Sequence, residues 1–261
     1  MELGVKDRVA LVFGAAGGLG RAIAEPLGQE GRQLALADVN EAGLARVREA
    51  VEALKARNVA LPWALGDSEA IEPNLKRVED QLGPIDILVN NTGGPAPSLA
   101  ADTPVETCRR EFEAMVASVI AVTADVLPSM RRRGWGRVIT SASSGVVTPI
   151  PNLAILKTLR SALVAWSKTL AREVALDGLT LNVVAPGRIA TGRVTALDKA
   201  KAAREGRTSE EVAARSAADI PMGRYGRPKE YANVVAFLAS VQSSYVTGSL
   251  IRVDGALIPS I

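Results

Sequence analysis

The sequence predicts a doubly wound α/β fold in which helices cover both faces of one parallel sheet. Short runs of Val, Leu, Ile and Ala alternate with longer amphipathic stretches along the whole chain. Strands that are continuous apolar runs are typical of a parallel sheet buried on both faces. A glycine-rich turn also follows the first apolar run, where such folds join their first strand to their first helix. Together these observations predict a Rossmann fold.

The apolar runs predict seven strands, which lie at residues 9–14, 33–39, 60–65, 85–90, 137–141, 180–185 and 250–253. The other stretches predict helices at residues 21–30, 41–57, 69–82, 105–132, 153–176, 209–217 and 228–240. No repeat or linker divides the pattern, so residues 1–261 are expected to form one domain. The composition of residues 189–211, which is rich in Ala, Lys, Arg and Thr, predicts a long mobile loop. The segment 189–217 is expected to cover a binding site.

The composition excludes several classes of chemistry. The chain of 261 residues contains no His and a single cysteine, Cys108. Without His, the Ser-His and Cys-His nucleophiles and the usual zinc sites are excluded, and no metal site is expected. A lone cysteine forms no intrachain disulfide, which favours a reducing compartment, and Cys108 is expected to be a packing thiol.

The charge pattern favours a soluble, cytoplasmic protein. The formal net charge is +3, and the basic run at 131–133 has no interleaved aromatic residues. This run is therefore expected to be a solvated helix end and not a nucleic-acid contact. Residues 1–4 do not begin a signal peptide, and no apolar run approaches the roughly 20 residues that cross a bilayer. We expect no membrane partner.

The glycine-rich turn carries the clearest functional signal. Its residues Gly14, Gly17, Gly18, Leu19 and Gly20 follow the first predicted strand and open a helix. Glycines at such a turn let the backbone approach a pyrophosphate, while the helix N-terminus supplies N–H donors and a partial positive charge. The turn therefore predicts a dinucleotide-binding site.

Asp38 indicates which dinucleotide binds. It ends the second predicted strand, where a carboxylate accepts hydrogen bonds from the adenosine ribose hydroxyls. The same carboxylate would repel a 2′-phosphate, and residues 14–20 contain no basic side chain to offset that repulsion. NAD(H) is therefore expected in preference to NADP(H). A surface Asp that caps the following helix is the alternative interpretation.

Further motifs follow in order along the chain. They are Gly66-Asp67, Asn90-Asn91-Thr92-Gly93, Asn182-x-x-x-Pro186-Gly187, Thr191, and C-terminal blocks at 221–224, 246–248 and 253–255. With the glycine-rich turn, these residues resemble the short-chain dehydrogenase/reductase family over the whole chain, and within it the 3-oxoacyl-carrier-protein-reductase-like members. The resemblance implies that the dinucleotide is bound by Gly14, Gly17, Gly18, Leu19, Gly20, Asp38, Asp67, Asn91, Gly93, Arg160, Pro186, Gly187, Ile189 and Thr191.

The catalytic motif of that family is incomplete here. The family uses a Ser, a Tyr, a Lys four residues after the Tyr, and usually a helper Asn. Ser143 corresponds to the Ser, but an ungapped alignment places Leu156 at the Tyr position and Arg160 at the Lys position. Met115 falls near the helper Asn. Leu carries no exchangeable proton, so another group must deliver it.

A shifted alignment offers a different lysine but no tyrosine. It would place Lys157 at the Lys position and Leu153 at the Tyr position. Lys157 could then act as an acid if its pKa were lowered. Arg160 could hold the nicotinamide ribose and stabilise an oxyanion, but it could not act as a base. Ser143 could orient a carbonyl or pass a proton through water.

Each of these candidates also has a structural interpretation. Ser143 could merely cap a loop, and Arg160 could lie on a helix surface. Further candidates for the missing proton donor are Tyr225, Tyr245, Asn152 and Ser144. The turn Gly93-Gly94-Pro95, together with Met115 and Leu156, predicts a pocket more apolar than is usual for the family.

Three functions remain open at this point. The first is an NAD(H)-dependent oxidoreductase that acts on a small or medium apolar alcohol or ketone with a rebuilt proton relay. The second is a dinucleotide-binding sensor or structural subunit without redox turnover, and the third is a lyase or isomerase that reuses the pocket. The resemblance also implies a homotetramer or dimer that packs through the predicted helices 105–132 and 153–176.

Overall fold

The computed structural model describes residues 3–29, 31 and 33–260. Seven parallel strands form one sheet in the order β3-β2-β1-β4-β5-β6-β7, which confirms the predicted fold class. The strands are β1 (Val9–Phe13), β2 (Gln33–Asp38), β3 (Asn58–Pro62), β4 (Ile85–Asn90), β5 (Gly136–Ser141), β6 (Leu179–Pro186) and β7 (Leu250–Val253). The order reverses between β1 and β4, and a crevice opens there at the carboxyl ends of the strands.

Helices pack against both faces of the sheet. They are α1 (Gly18–Gln29), α2 (Glu41–Glu52), α3 (Ile71–Leu82), α4 (Val105–Phe112), α5 (Ser118–Arg133), α6 (Ala154–Val174), α7 (Gly192–Glu205), α8 (Ser209–Ala218) and α9 (Pro228–Leu238). Apolar residues of α1, α2 and α9 fill the core on one face, and those of α3, α5 and α6 fill it on the other. The predicted end of the first helix, at residue 30, lies outside the described residues.

Several predicted bounds were wrong at their ends. β3 ends at Pro62, because its partner strand β2 ends at Asp38, which pairs with Pro62. The last bond between the two segments runs from the N–H of Trp63 to the Asp38 carbonyl. The prediction had placed this strand at 60–65. Helix α2 ends at Glu52 and not at residue 57, because Lys55 adopts a left-handed conformation with φ of 61°.

The predicted helix at 105–132 has two parts. A π-helical turn, Glu113–Ala117, separates α4 from α5. By length and composition alone, the continuous helical stretch Val105–Arg133 could cross a membrane, contrary to our expectation that no such run exists. Val122 and Val126 pack in the core beneath the sheet, and Met115 packs in a second cluster with residues of α6. The stretch is therefore a core helix.

The segment 189–211 is not the long loop that its composition predicts. Helix α7 occupies most of it, and Thr191 caps the start of α7 by accepting a hydrogen bond from the N–H of Val194. Gly206, with φ of 64°, ends the helix. A buried Asp198 on α7 accepts hydrogen bonds from Arg188, which follows β6, and from the hydroxyl of Tyr225. These contacts anchor α7 to the body of the domain.

Asp86 in β4 joins three parts of the domain. Its buried carboxylate accepts hydrogen bonds from the N–H of Val9 at 3.1 Å and from the Arg8 guanidinium at 3.0 Å. Arg133 at the end of α5 lies 3.3 Å from the same carboxylate. The buried carboxylate of Asp86 therefore links the amino ends of β1 and β4 to the end of α5.

We predict that Asp86→Ala lowers the free energy of unfolding by about 2–3 kcal/mol, because hydrogen bonds to a buried charged group are lost together. Urea denaturation followed by circular dichroism would measure the change. Asp80→Ala removes an exposed carboxylate paired with Lys76 on α3 and serves as the control. Its expected cost is below about 1 kcal/mol, and equal costs for the two variants would contradict the prediction.

Candidate active site

A cleft of about 1200 Å³ lies at the carboxyl ends of the strands. Residues from the ends of β1, β2, β4, β5 and β6 line it, and α6 and α7 contribute further side chains. The cleft coincides with the switch point of the sheet, where open α/β folds bind their ligands. Its size suits a dinucleotide together with a small substrate.

The glycine-rich turn forms one end of the cleft and tolerates no side chain at several positions. Gly14 has φ of 62°, and a Cβ there would lie 2.3 Å from the carbonyl oxygen of Asn91. A Cβ on Gly20 would lie 2.0 Å from the carbonyl oxygen of Gly14, and one on Gly18 would lie 2.8 Å from the Thr191 side chain. The turn thus packs backbone against backbone, as a pyrophosphate cradle at a helix N-terminus requires.

Asp38 is held in place beside this turn. One carboxylate oxygen accepts the N–H of Ala16 at 3.0 Å, and the other accepts the N–H of Asn40 at 2.9 Å. An ionised carboxylate has about four acceptor positions, so it can still accept hydrogen bonds from ribose hydroxyls. Asn40, and not Asp38, caps α2 through its own side chain, which removes helix capping as the explanation of Asp38.

The predicted cofactor residues, taken together, form two groups. The first group lines the cleft and consists of Gly14, Gly17, Gly18, Leu19, Asp38, Asn91, Gly93, Arg160, Pro186, Gly187, Ile189 and Thr191. The second group, Gly20 and Asp67, lies outside the described lining. Gly20 supports the turn, and Asp67 accepts the N–H of Glu69 ahead of α3. The side chain of Asn91 donates to the carbonyl of Phe13, which ties the end of β4 to the end of β1.

Arg160 lies on the cleft floor and is 4% exposed. Its guanidinium donates to the carbonyl of Ser141 at 2.6 Å, to that of Thr92 at 2.7 Å and to that of Gly93 at 3.0 Å. None of the ion pairs among the described residues includes Arg160. The pKa of Arg160 is lowered to about 10, chiefly because the side chain is buried; Tyr231 opposes this lowering, and Arg193 adds a smaller part of it. The side chain therefore stays charged at neutral pH.

The remaining predicted catalytic residues occupy different surroundings. Ser143 lines the cleft in an extended conformation, and its hydroxyl accepts the N–H of Gly145 at 3.1 Å. Leu156, Asn152 and Ser144 also line the cleft. Lys157 is half-buried on α6 and lies outside the described lining. The structure thus brings Ser143, Leu156 and Arg160 together and leaves Lys157 apart from them.

Tyr231, which the sequence does not indicate as a site residue, contacts a residue of the cleft. Tyr231 in α9 is fully buried, and its hydroxyl is hydrogen-bonded to that of Ser141, which lines the cleft. Burial raises the pKa of Tyr231 to about 12. Tyr245 is fully exposed, and Tyr225 donates to Asp198, so both lie outside the described lining. No local pattern predicts the contact of Tyr231 with Ser141, because 90 residues separate them.

Two comparisons identify the family. A family model described as enoyl-(acyl carrier protein) reductase matches residues 14–257. The 3-oxoacyl-[acyl-carrier-protein] reductase FabG of Escherichia coli K12 is 35% identical over 254 residues, which cover 97% of this chain and 98% of that protein. The chain belongs to the short-chain dehydrogenase/reductase family. It is therefore a member of an oxidoreductase family that binds dinucleotides.

Solved structures of other short-chain dehydrogenases/reductases share the fold over almost the whole chain. L-sorbose reductase from Gluconobacter frateurii, complexed with NADPH and L-sorbose, is 29% identical, has a TM-score of 0.94 and is matched over 100% of both chains. NAD⁺-bound xylitol dehydrogenase is 28% identical and has a TM-score of 0.89, with 96% of this chain and 99% of that chain covered. These two structures hold different dinucleotides.

The cleft of this short-chain dehydrogenase/reductase fits a nicotinamide dinucleotide. The glycine turn leaves room for a pyrophosphate, and Asp38 beside the turn could accept hydrogen bonds from the hydroxyls of an adenosine ribose. At the other end, the Thr92 hydroxyl and the Arg160 Nε are buried and have no hydrogen-bond partner within the described protein. Buried polar atoms of this kind usually have a partner, and a nicotinamide ribose bound beside them would supply one.

We predict that Gly20→Ala weakens NADH binding more than tenfold, because the new Cβ would displace the Gly14 carbonyl and with it the turn. Fluorescence titration with NADH would measure the affinity. Gly192→Ala is the matched control, because a Cβ there meets no atom within 4 Å. NADH affinity within twofold of wild type for both variants would show that the turn does not cradle the cofactor.

Proposed function

We propose that this protein is an NAD(H)-dependent oxidoreductase that transfers a hydride between the nicotinamide and an alcohol or ketone, with Leu156 and Arg160 at the positions of the family's Tyr and Lys. The observation that carries the proposal is the buried Arg160 guanidinium, which lines the same cleft as Ser143 and has no carboxylate partner among the described residues. The intact glycine turn and Asp38 supply the rest of the dinucleotide site. The bound nicotinamide would supply or accept the hydride.

Arg160 would hold the nicotinamide ribose and stabilise negative charge on the substrate oxygen. Its three carbonyl partners fix the guanidinium plane, so the cation is positioned before a ligand binds. Ser143 would orient the substrate oxygen and pass a proton from water. Leu156 and Met115 would exclude water from one side of the pocket, which strengthens the electrostatic effect of Arg160.

The preference for NAD(H) rests on Asp38 and its neighbour. Asp38 presents a carboxylate towards the cleft, and the following Val39, 68% exposed, adds no cation that would bind a 2′-phosphate. A 2′-phosphate would therefore meet a fixed negative charge. The relatives do not share one cofactor, because L-sorbose reductase holds NADPH and xylitol dehydrogenase holds NAD⁺.

We predict that Asp38→Ser combined with Val39→Arg shifts the ratio of NADPH to NADH affinity at least tenfold towards NADPH. The change removes the repulsive carboxylate and supplies a cation at the exposed position. Fluorescence titrations with both nucleotides would give the ratio, and Val39→Gln is the control without charge. An unchanged ratio, or a wild-type protein that prefers NADPH, would contradict the role of Asp38.

Reduction of an activated carbon–carbon double bond is a second candidate. The description of the matching family model names an enoyl reductase, and Leu156 provides no proton for a carbonyl oxygen. Hydride addition to a double bond conjugated with a carbonyl needs stabilisation of an enolate oxygen, which Arg160 could provide, while the proton goes to carbon. Product analysis with an enone substrate distinguishes the two reactions, since one yields an allylic alcohol and the other a saturated ketone.

The decisive assay follows NADH absorbance at 340 nm with a panel of ketones, enones and alcohols. Consumption of NADH with stoichiometric product supports an oxidoreductase. NADH binding without any turnover would support the sensor or structural interpretation, and conversion of substrate with no net change in the cofactor would support a lyase or isomerase.

We predict that Leu156→Tyr raises the rate of ketone reduction about tenfold or more, because a positioned acid contributes roughly 10²–10⁴ to such steps. The hydroxyl would stand above Gly94, near Arg160. Leu156→Phe fills the same space without a proton and should leave the rate at or below that of wild type. If both variants raise the rate equally, the lack of a proton donor at position 156 is not what limits the rate of ketone reduction.

We also propose a cytoplasmic homo-oligomer, a tetramer or a dimer, as the working form. Helices α4–α6 carry apolar side chains that reach the surface, among them Val105 and Phe112, which are 64% and 43% exposed. These helices match the segments through which family members associate. Light scattering during size-exclusion chromatography would give the mass, and a monomer at micromolar concentration would contradict this part of the proposal.

A further inference from the structure

A second guanidinium faces the floor of the same cleft. Arg193, at the start of α7, lines the cleft and donates to the carbonyl of Pro95 at 2.7 Å. A Cβ placed on Gly94 would lie 3.5 Å from Arg193 Nη2 and 2.9 Å from Leu156 Cδ1. Arg193 and Leu156 therefore both approach Gly94 on the same cleft. The charge of Arg193 also lowers the pKa of Arg160, by less than burial lowers it and by less than Tyr231 raises it.

Neither guanidinium is neutralised by the protein. The partners of Arg160 and Arg193 are backbone carbonyls, and neither arginine belongs to an ion pair among the described residues. Of the other carboxylates that line the cleft, Glu111 pairs with Arg110 and Glu205 with Lys201, and Asp219 ends α8. Asp38 lies at the glycine turn. Arg160 is buried and Arg193 is exposed on the same cleft. An anion bound between them would be attracted by both guanidinium groups, and most strongly by the buried one.

We propose that the substrate carries a carboxylate next to its reacting carbon, so that the substrate pair is a 2-oxo acid and its 2-hydroxy acid. Arg193 binds the carboxylate, and Arg160 stabilises the oxygen on carbon 2. Reduction adds a hydride from NADH to carbon 2 and a proton, passed from water by Ser143, to its oxygen, and NADH is oxidised to NAD⁺. The apolar walls formed by Met115, Ile150 and Leu156 accommodate the rest of the acid. This inference rests on the proposed function and makes its substrate class specific.

Arginine is suited to this task because its planar fork binds both oxygens of a carboxylate at once. Arg193 is anchored from two sides, through α7 and through its bond to the Pro95 carbonyl, so its guanidinium is held at the cleft. α7 is in turn fixed by the contact between Arg188 and the buried Asp198 at 2.7 Å. The position of Arg193 therefore does not depend on a loop closing over the substrate.

The test measures binding without turnover. NAD⁺ cannot reduce a 2-oxo acid. A titration of 2-oxohexanoate into protein saturated with NAD⁺ therefore reports binding alone. The methyl ester of the same acid is the control ligand, because it lacks the negative charge. Calorimetry should show that the acid binds about 10- to 100-fold more tightly than the ester, the range expected for hydrogen bonds to a charged group. Arg193→Gln should abolish this preference and leave NAD⁺ affinity within twofold, whereas Arg193→Lys should retain part of it.

Lys199→Gln is the matched control. It removes one positive charge from the exposed side of α7 without touching the cleft, and it should leave the preference for the acid unchanged. If wild type binds acid and ester equally, or does not bind the acid, the inference is overturned. The proposed function is not affected by that result as long as wild type binds NAD⁺. A tenfold loss of NAD⁺ affinity in Arg193→Gln would also overturn it by assigning Arg193 to the cofactor. Failure of wild type to bind NAD⁺ would instead refute the proposed function and this inference with it.

Discussion

The buried guanidinium of Arg160 joins the carboxyl ends of β4 and β5, and the geometry of the candidate site depends on it. It bonds to Ser141 at the end of β5 and to Thr92 and Gly93 after β4. A cation with only carbonyl partners is costly to bury. Its retention is explained if a ligand shares the charge, and the cleft above it has the size and the glycine turn that a dinucleotide needs.

In the proposed active site, several side chains around this arginine differ from the family's usual catalytic group. The hydroxyl of Ser141 bonds to Tyr231 while its carbonyl accepts from Arg160, so one residue of β5 links α9 to α6 beneath the cleft. Leu156 and Met115 make the wall apolar. The proposed mechanism places a positive charge in this poorly solvated pocket, and it would use electrostatic stabilisation more than a side-chain acid.

The sequence was sufficient to predict the sheet and the glycine turn that lies at one end of the cleft. Continuous apolar strands and the Gly14–Gly20 turn are local signals, and the structure confirms the sheet that they predict. Helix α7 was missed because its interior is rich in charged residues, although Thr191 and Gly206 at its ends are recognisable caps. The pairing of Tyr231 with Ser141 and the approach of Arg193 to Leu156 could not be predicted, because they depend on tertiary contacts between segments distant in sequence.

The central claim is that hydride moves between the nicotinamide and a substrate carbon in a site without the family's tyrosine. Mass spectrometry of products formed from stereospecifically deuterated NADH and a mixture of ketones and 2-oxo acids tests it most directly. The account predicts one deuterium on the carbon that bore the oxygen, delivered from a single face of the nicotinamide. Reduced product that carries no deuterium from either stereoisomer of the labelled NADH, or bound NADH with no reduced product at all, would contradict it.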